Sequence, residues 1–377
     1  MNINPFKLER YFARYEFSVK YLLSPSDCES LSVDELLQWA DAETREMWDR
    51  LRLGYTESAG HPVLRTAISR LYEKIGADQV MTAAPEEAIF IILHTLLRPG
   101  DQVVCVFPAY QSLYEIPRAL GCQVTPWTFE LNEGRWRLDL DHLSDLLTDH
   151  TRLLVLNFPH NPTGYLPSHN ELNAIVELAR RRGLYILSDE MYRLLEYDSS
   201  RRLPAMCDLY EKGISLSGLS KSFALPGLRL GWLSTQERAF VEQWLAFKDY
   251  TTICSSAPSE ILGIMALRAQ EMILARNLAI IQENLQAAGR FFGERRELFD
   301  WIPPQAGSIA FPRWCGNVPV EKFCKEVVTR QGVMIVPGSI FDFPGNHFRV
   351  GLGRKNFPEA LGRVDDYLDS ISPVSGA

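Results

Sequence analysis

The stretch Ser217-Gly-Leu-Ser-Lys221-Ser-Phe-Ala-Leu-Pro-Gly-Leu-Arg229-Leu-Gly-Trp232 decides the reading of this chain. It follows a short apolar run, Ile214-Ser215-Leu216, and sets one lysine in a small, hydroxyl-rich turn ahead of an arginine. A lysine held in such a turn can lose its proton and bond to an aldehyde as a Schiff base. The arginine offers a fixed fork of donors that suits a phosphate dianion. Lys221 is therefore the candidate covalent anchor, and Arg229 the candidate anion ligand.

Working outward, Val103–Phe107, Leu153–Leu156, Leu184–Leu187 and Ile214–Leu216 read as buried strands. Between the second and third, Leu172, Ile175, Val176 and Ala179 recur at helical spacing over Glu171–Arg182, and Gly183 follows as a C-cap. Strand, helix and strand in that order predict an α/β fold with a parallel sheet. A long helical pattern runs from about Glu260 to Leu298; periodicity does not say whether it is continuous, kinked or broken. Ile309–Phe311, Val333–Val336 and Phe348–Val350 beyond it predict a smaller α+β domain. The expected division is a large domain over 41–285 and a small one over 1–40 and 286–377.

Of the 377 residues 46% are hydrophobic and 23% charged, enough for a large core. A net charge of -8 argues against nucleic acid as a partner. Seven scattered cysteines without a Cys-x-x-Cys pair predict reduced thiols, with neither a disulfide framework nor a metal site. The N-terminal residues carry charges where a leader would need an apolar run, and no stretch suits a membrane span, so a cytoplasmic location is expected. Gly351-Leu-Gly353 mimics the start of a dinucleotide loop but lacks its third glycine, and the histidines show no His-Glu-x-x-His spacing. His160 is expected to be loop scaffold.

In open α/β sheets, ligands bind beyond the carboxyl ends of the strands. Asn161, in Phe158-Pro-His-Asn-Pro-Thr-Gly164, Asp189, in Leu187-Ser-Asp-Glu-Met-Tyr192, and Lys221 all follow such ends. Taken singly, Lys221 could be a solvated loop residue, Asp189 a helix cap and Asn161 a turn former. Together their chemistry suits one small molecule carrying an aldehyde and a phosphate, pyridoxal 5'-phosphate (PLP). Asp189 would keep its ring nitrogen protonated. Asn161 and Tyr192 would hydrogen-bond the ring oxygen, Tyr110 would stack on the ring, and Arg229 would hold the phosphate.

Asn-Pro-Thr-Gly, Ser-Asp-Glu-x-Tyr, Ser-Lys with Arg-x-Gly downstream, and Phe-Arg349-Val-Gly together resemble the signatures of the class I/II aminotransferases of PLP fold type I. The resemblance runs from about Gly54 to Leu352. It implies a mostly parallel, seven-stranded-type sheet between helices and a homodimer with shared active sites. It also implies that Arg349 grips the α-carboxylate of an amino acid or 2-oxo acid, with Asn161 alongside. Tyr55 is expected to reach the neighbouring subunit's phosphate, and Asn161–Pro162 to be cis. The sequence departs from the pattern at Gly218, where relatives carry a hydroxyl; Ser217 or Ser220 would compensate. It departs again at Ala84-Pro85-Glu86-Glu87, where Pro85 has no N–H to give and Glu86 adds negative charge beside the phosphate site.

The expected activity is transamination between an L-amino acid and a 2-oxo acid, with Lys221, Asp189 and Tyr192 at the chemistry. Arg10-Tyr-Phe, Asn157-Phe-Pro-His-Asn and Lys248-Asp-Tyr before Thr251-Thr252 resemble the branch that includes capreomycidine synthase. That branch implies the alternative of a PLP-dependent lyase or cyclase of secondary metabolism acting on a guanidino amino acid. A non-catalytic regulator keeping the fold is the third reading; the intact Lys, Asp, Asn and Arg set and the acidic charge argue against it. The segment Tyr21–Glu29 is expected to set specificity, and no second arginine suits an acidic side chain.

Overall fold

The computed structural model describes residues 2–371. Its central sheet contains β1 (Val80–Ala83), β2 (Gln102–Phe107), β3 (Gln123–Thr128), β4 (Thr151–Asn157), β5 (Tyr185–Asp189), β6 (Gly213–Gly218) and β7 (Gly231–Thr235). The lateral order is β1-β7-β6-β5-β4-β2-β3. Neighbours are parallel except at β7, which runs antiparallel to both β1 and β6. The α/β expectation holds. The four apolar runs become β2, β4, β5 and β6, because strands covered on both faces favour near-continuous apolar residues. The other three were not legible. β3 is a largely exposed edge interrupted by Pro126, and β7 reads Gly-Trp-Leu-Ser-Thr, which has no apolar run.

The helices that position the site are α1 (Lys7–Tyr15), α2 (Pro85–Leu96), α3 (His169–Arg182), α4 (Ala257–Arg268), α5 (Gln270–Glu294), α6 (Val320–Gln331) and α7 (Phe357–Ile371). Helix α3 starts at a capping box between Ser168 and Glu171 and stops at Gly183, whose φ of 67° is the left-handed cap the sequence predicts. The long helical pattern breaks at Ala269 into α4 and α5. The 285/286 division falls inside α5, so one continuous helix would serve both proposed domains.

A second, smaller sheet holds β8 (Ile309–Ala310), β9 (Val336–Pro337) and β10 (Phe348–Gly351), antiparallel in the order β8-β10-β9. The expected strand at Val333–Val336 divides. Val333 and Met334 pair in parallel with Tyr21 and Leu22, while Val336 pairs with Arg349. Behind this sheet α6 and α7 close an aromatic core in which Trp314 and Phe323 stack at 4.2 Å.

The N-terminal segment is laid against β10 at van der Waals limits. A Cβ on Gly351 would lie 1.9 Å from the Pro25 carbonyl oxygen, and one on Gly353 2.4 Å from that of Asp27. The Gly351-Leu-Gly353 pair is thus a packing device for a backbone. Gly351→Ala is expected to force these chains apart and destabilise the protein by about 1–3 kcal/mol. The check is the urea midpoint, which should fall at unchanged slope; an unaltered midpoint would refute the close approach.

Candidate active site

The parallel strands deliver their carboxyl ends to one edge of the sheet. Strand pairing sets Asn157 beside Asp189 and Asp189 beside Leu216, so the loops after β4, β5 and β6 emerge together. Of the residues expected from sequence, Lys221, Asp189, Asn161, Tyr192, Tyr110, Arg229, Ser220, Pro85, Glu86 and Arg349 line one cavity of about 580 Å³. Two do not. Ser217 is the neighbour of cavity-lining Leu216 on β6, and strand alternation turns it to the other face. Tyr55 is 90% exposed on the surface, away from this chain's own cavity.

Lys221 sits at the cavity, where its Nζ donates to Ser26 Oγ at 2.9 Å. Burial pushes its amine below the usual lysine range; Asp27 opposes that shift and Arg349 adds to it. Asp189 is buried, its Oδ1 accepting the Met191 backbone N–H at 3.1 Å. Burial raises this carboxyl to about 6, against the weaker pull of the backbone hydrogen bond and of Lys221. Among the described residues no ion pair is made by Asp189.

Arg349 is 1% exposed. Its Nε donates to the Ser24 carbonyl at 3.1 Å and its Nη1 to Asn161 Oδ1 at 3.3 Å, and its guanidinium lies over the rings of Phe12 and Phe341. It too has no carboxylate partner among the described residues. Asn161 follows a loop held from beneath: its backbone N–H donates to Asn157 Oδ1, whose Nδ2 donates to the Asp189 carbonyl. Asn161–Pro162 is cis, as expected, and so are Phe107–Pro108 and Phe158–Pro159. His160 is scaffold. Its Nε2 donates to the Pro108 carbonyl, its Nδ1 accepts from the Thr163 hydroxyl, and burial lowers it to about 3, a neutral ring.

At the other end of the cavity Arg229, in the left-handed region at φ 51°, stands exposed beside Ser220 and the first turn of α2. Pro85 is the first residue of that helix, and Glu86 is raised to about 7 by burial, with Glu9 and Asp189 adding and Arg229 opposing. Among the described residues the buried Ser220 hydroxyl has no hydrogen-bond partner, while the buried Tyr192 hydroxyl lies beside Ser26. Tyr110 donates to Glu9 on α1 at 3.1 Å.

Sequence motifs missed the N-terminal wall. Glu9 and Phe12 from α1, and Glu16, Ser26 and Asp27 from the segment after it, line the same cavity. The signals were the Arg10-Tyr-Phe12 resemblance and the expectation that Tyr21–Glu29 sets specificity; nothing local marked Glu9, Glu16, Ser26 or Asp27 individually. Among the described residues no cluster of side chains suits a metal ion.

The donor set fits pyridoxal phosphate. An amine, a buried carboxylate and a guanidinium beside an unpartnered hydroxyl answer its aldehyde, ring nitrogen and phosphate in turn. Comparisons with known proteins agree. A family model described as aminotransferase class I and II matches residues 20–363. Capreomycidine synthase of Streptomyces vinaceus is 30% identical over 96% of this chain and 93% of its own. A PLP-dependent aminotransferase from Streptococcus suis superposes with a TM-score of 0.92 at 30% identity, covering 99% of both chains. The PLP-dependent cyclase OrfR superposes with a TM-score of 0.90 at 28% identity, again over 99% of both. On this evidence the chain belongs to the class I and II aminotransferase family, whose cofactor is pyridoxal 5'-phosphate.

Proposed function

We propose that this protein transfers the α-amino group of an L-amino acid to a 2-oxo acid in two half-reactions. The observation that carries this reading is the convergence of Lys221, Asp189 and Arg349 on one cavity, the last two without counter-ions among the described residues. When bound, PLP supplies an aldehyde carbon for amines and a cationic ring that withdraws electron density from the substrate's Cα. Lys221 would hold the aldehyde carbon, and its free amine would take the substrate's Cα proton and return it. Burial suits it to that work, since an amine held below its ordinary pKa is free to accept a proton. Asp189 keeps the ring nitrogen protonated, and Asn161 and Tyr192 bond the ring oxygen. Arg229 and Ser220 would hold the phosphate, with Pro85 and Glu86 of α2 lining the same end of the cavity, and Tyr110 would offer its ring for stacking. Arg349 takes the substrate carboxylate, the charge its buried guanidinium lacks.

We further propose a cytoplasmic homodimer, in which Tyr55 reaches the partner's phosphate site. Tyr55, Leu53 and Tyr250 stand 85–92% exposed, the kind of surface a second copy would cover. No helix among the described residues is long and apolar enough to cross a membrane.

One observation favours a second reaction on the same site. Glu9, Glu16 and Asp27 line the cavity wall, and Glu16 makes no ion pair among the described residues. Such a wall repels acidic side chains and attracts a cationic one. With a guanidino amino acid, the charge developed at Cα would expel a β-substituent and allow the guanidino nitrogen to close a ring. The two reactions are separated by product. Transamination yields a 2-oxo acid and leaves the amino group on the cofactor; elimination and cyclisation yield a cyclic amino acid with no acceptor added.

A stopped-flow screen of amino acids against the cofactor absorbance is expected to find basic donors faster than aspartate or glutamate by at least about tenfold, roughly 1.4 kcal/mol. Faster acidic donors would remove the assignment of the acidic wall. Lys221→Ala should abolish the absorbance of covalently held cofactor and cut turnover by about 10²–10⁴-fold or more; near-native turnover would end the proposal.

Asp189→Asn separates stability from function. In the cofactor-free protein the folded-state pKa of Asp189, about 6, exceeds its ordinary 3.8, so the folded chain binds more protons than the unfolded one between those values. Stability from this group is therefore full below about pH 4 and falls as pH rises to 6, by up to about 1.4 kcal/mol per unit. The asparagine variant should melt above the native apo-protein at pH 8 and alongside it at pH 4, yet bind PLP more weakly. Equal melting at both pH values would contradict the buried, unpaired carboxylate.

A further inference from the structure

No motif singled out Ser26, yet its hydroxyl accepts the hydrogen bond that Lys221 Nζ donates, at 2.9 Å. Ser26 is 8% exposed, and its carbonyl accepts from the buried Ser308 hydroxyl at 2.6 Å. Its neighbours are anchored as well. The Ser24 carbonyl accepts from Arg349 Nε, and Asp27 pairs with Arg354 at 2.9 Å. Behind them Gly351 and Gly353 leave no room for the backbone to retreat. The buried Tyr192 hydroxyl lies beside the Ser26 hydroxyl as well.

We propose that Ser26 is a positioning residue for Lys221, its hydroxyl holding the free lysine amine in place through both protonation states. The proposal rests on Lys221 being the base, as argued above. A hydroxyl can accept from an ammonium and donate to a neutral amine, whereas a carbonyl or carboxylate can only accept. When the Cα–H bond breaks, its electron pair stays on the substrate and the proton forms a new N–H bond on Lys221, and the return step reverses this. A base that cycles in this way needs a neighbour that serves both forms. The charges facing the amine come from several elements: Asp27 and Glu9 favour the ammonium, Arg349 and Arg229 disfavour it, and Asp189 and Glu16 interact with it too.

The test compares full-length native protein with S26A and S26T. Each is freed of cofactor and acetylated with trace acetic anhydride over roughly pH 6 to 11, spanning the lysine range, and the Lys221 peptide is quantified by mass spectrometry. Loss of the acceptor for a buried ammonium should move the S26A labelling midpoint down by roughly one pH unit, while S26T keeps the native midpoint. In the loaded enzyme S26A should lose about tenfold in kcat at little-changed KM, as expected for a displaced base. Should the alanine variant not fold, S26C takes its place, being close in size and a weaker hydrogen-bonding partner. A native midpoint together with native kcat in S26A overturns the proposal, and so does an S26T that behaves like S26A, which would assign the effect to packing. Failure of Lys221 as the base would appear separately, as near-native turnover in K221A.

Discussion

Two buried groups of opposite charge line one cavity in this protein, and neither has a counter-ion among the described residues. Asp189 closes the central strand β5, and Arg349 sits in the second sheet on β10. Isolating a charge from water costs several kcal/mol unless hydrogen bonds and dipoles replace the solvent. Asp189 receives one backbone N–H, and Arg349 donates to a carbonyl and an amide oxygen between two aromatic faces. That compensation is partial, so burial still raises the Asp189 carboxyl to about 6. The large apolar clusters around both sheets sustain the strain. Stability is given up locally at the place where a ligand of complementary charge can restore it.

What brings the two sheets to a common site is the N-terminal segment. Helix α1 is tied to the large sheet's side through Asn4 to Glu115 and Lys7 to Gln111, and to the other side through Tyr11 to the Ile335 carbonyl and Lys7 to Asp342. The chain then pairs with Val333 and Met334 and crosses β10 at its glycines before passing Lys221. Much of the electrostatic character of the cavity comes from this strap. Glu9, Glu16 and Asp27 supply its acidity, and Ser26 meets the lysine. Basic substrates and control of the lysine's proton thus have a common structural origin.

Several elements were legible because their signal is local. Strands covered on both faces favour apolar runs, so β2, β4, β5 and β6 stood out, as did α3 with its capping box and terminal glycine. Lys221, Asp189, Asn161, Arg229 and Arg349 were legible as chemical types at strand ends in a family order. Other elements lacked such a signal. The edge strand β3 is stabilised by one neighbour only, and β7 is polar in sequence because burial between β1 and β6 satisfies its backbone without an apolar run. Ser217 was chosen for its hydroxyl, but the pleat of β6 turns it away. Gly351 and Gly353 resembled a ligand loop and proved to be the bed of another chain segment.

The sequence by itself determined which reactive groups exist and the order in which short-range structure presents them, because turn chemistry and burial patterns act over a few residues. The tertiary structure decided their charge states and partners. Lys221 meets Ser26 across 195 positions and Arg349 meets Ser24 across 325. Desolvation depends on every atom packed around a group, whatever its distance along the chain, so the amine, the carboxyl and the guanidinium acquire their properties only when the strap, the sheet edge and the second sheet close on one another.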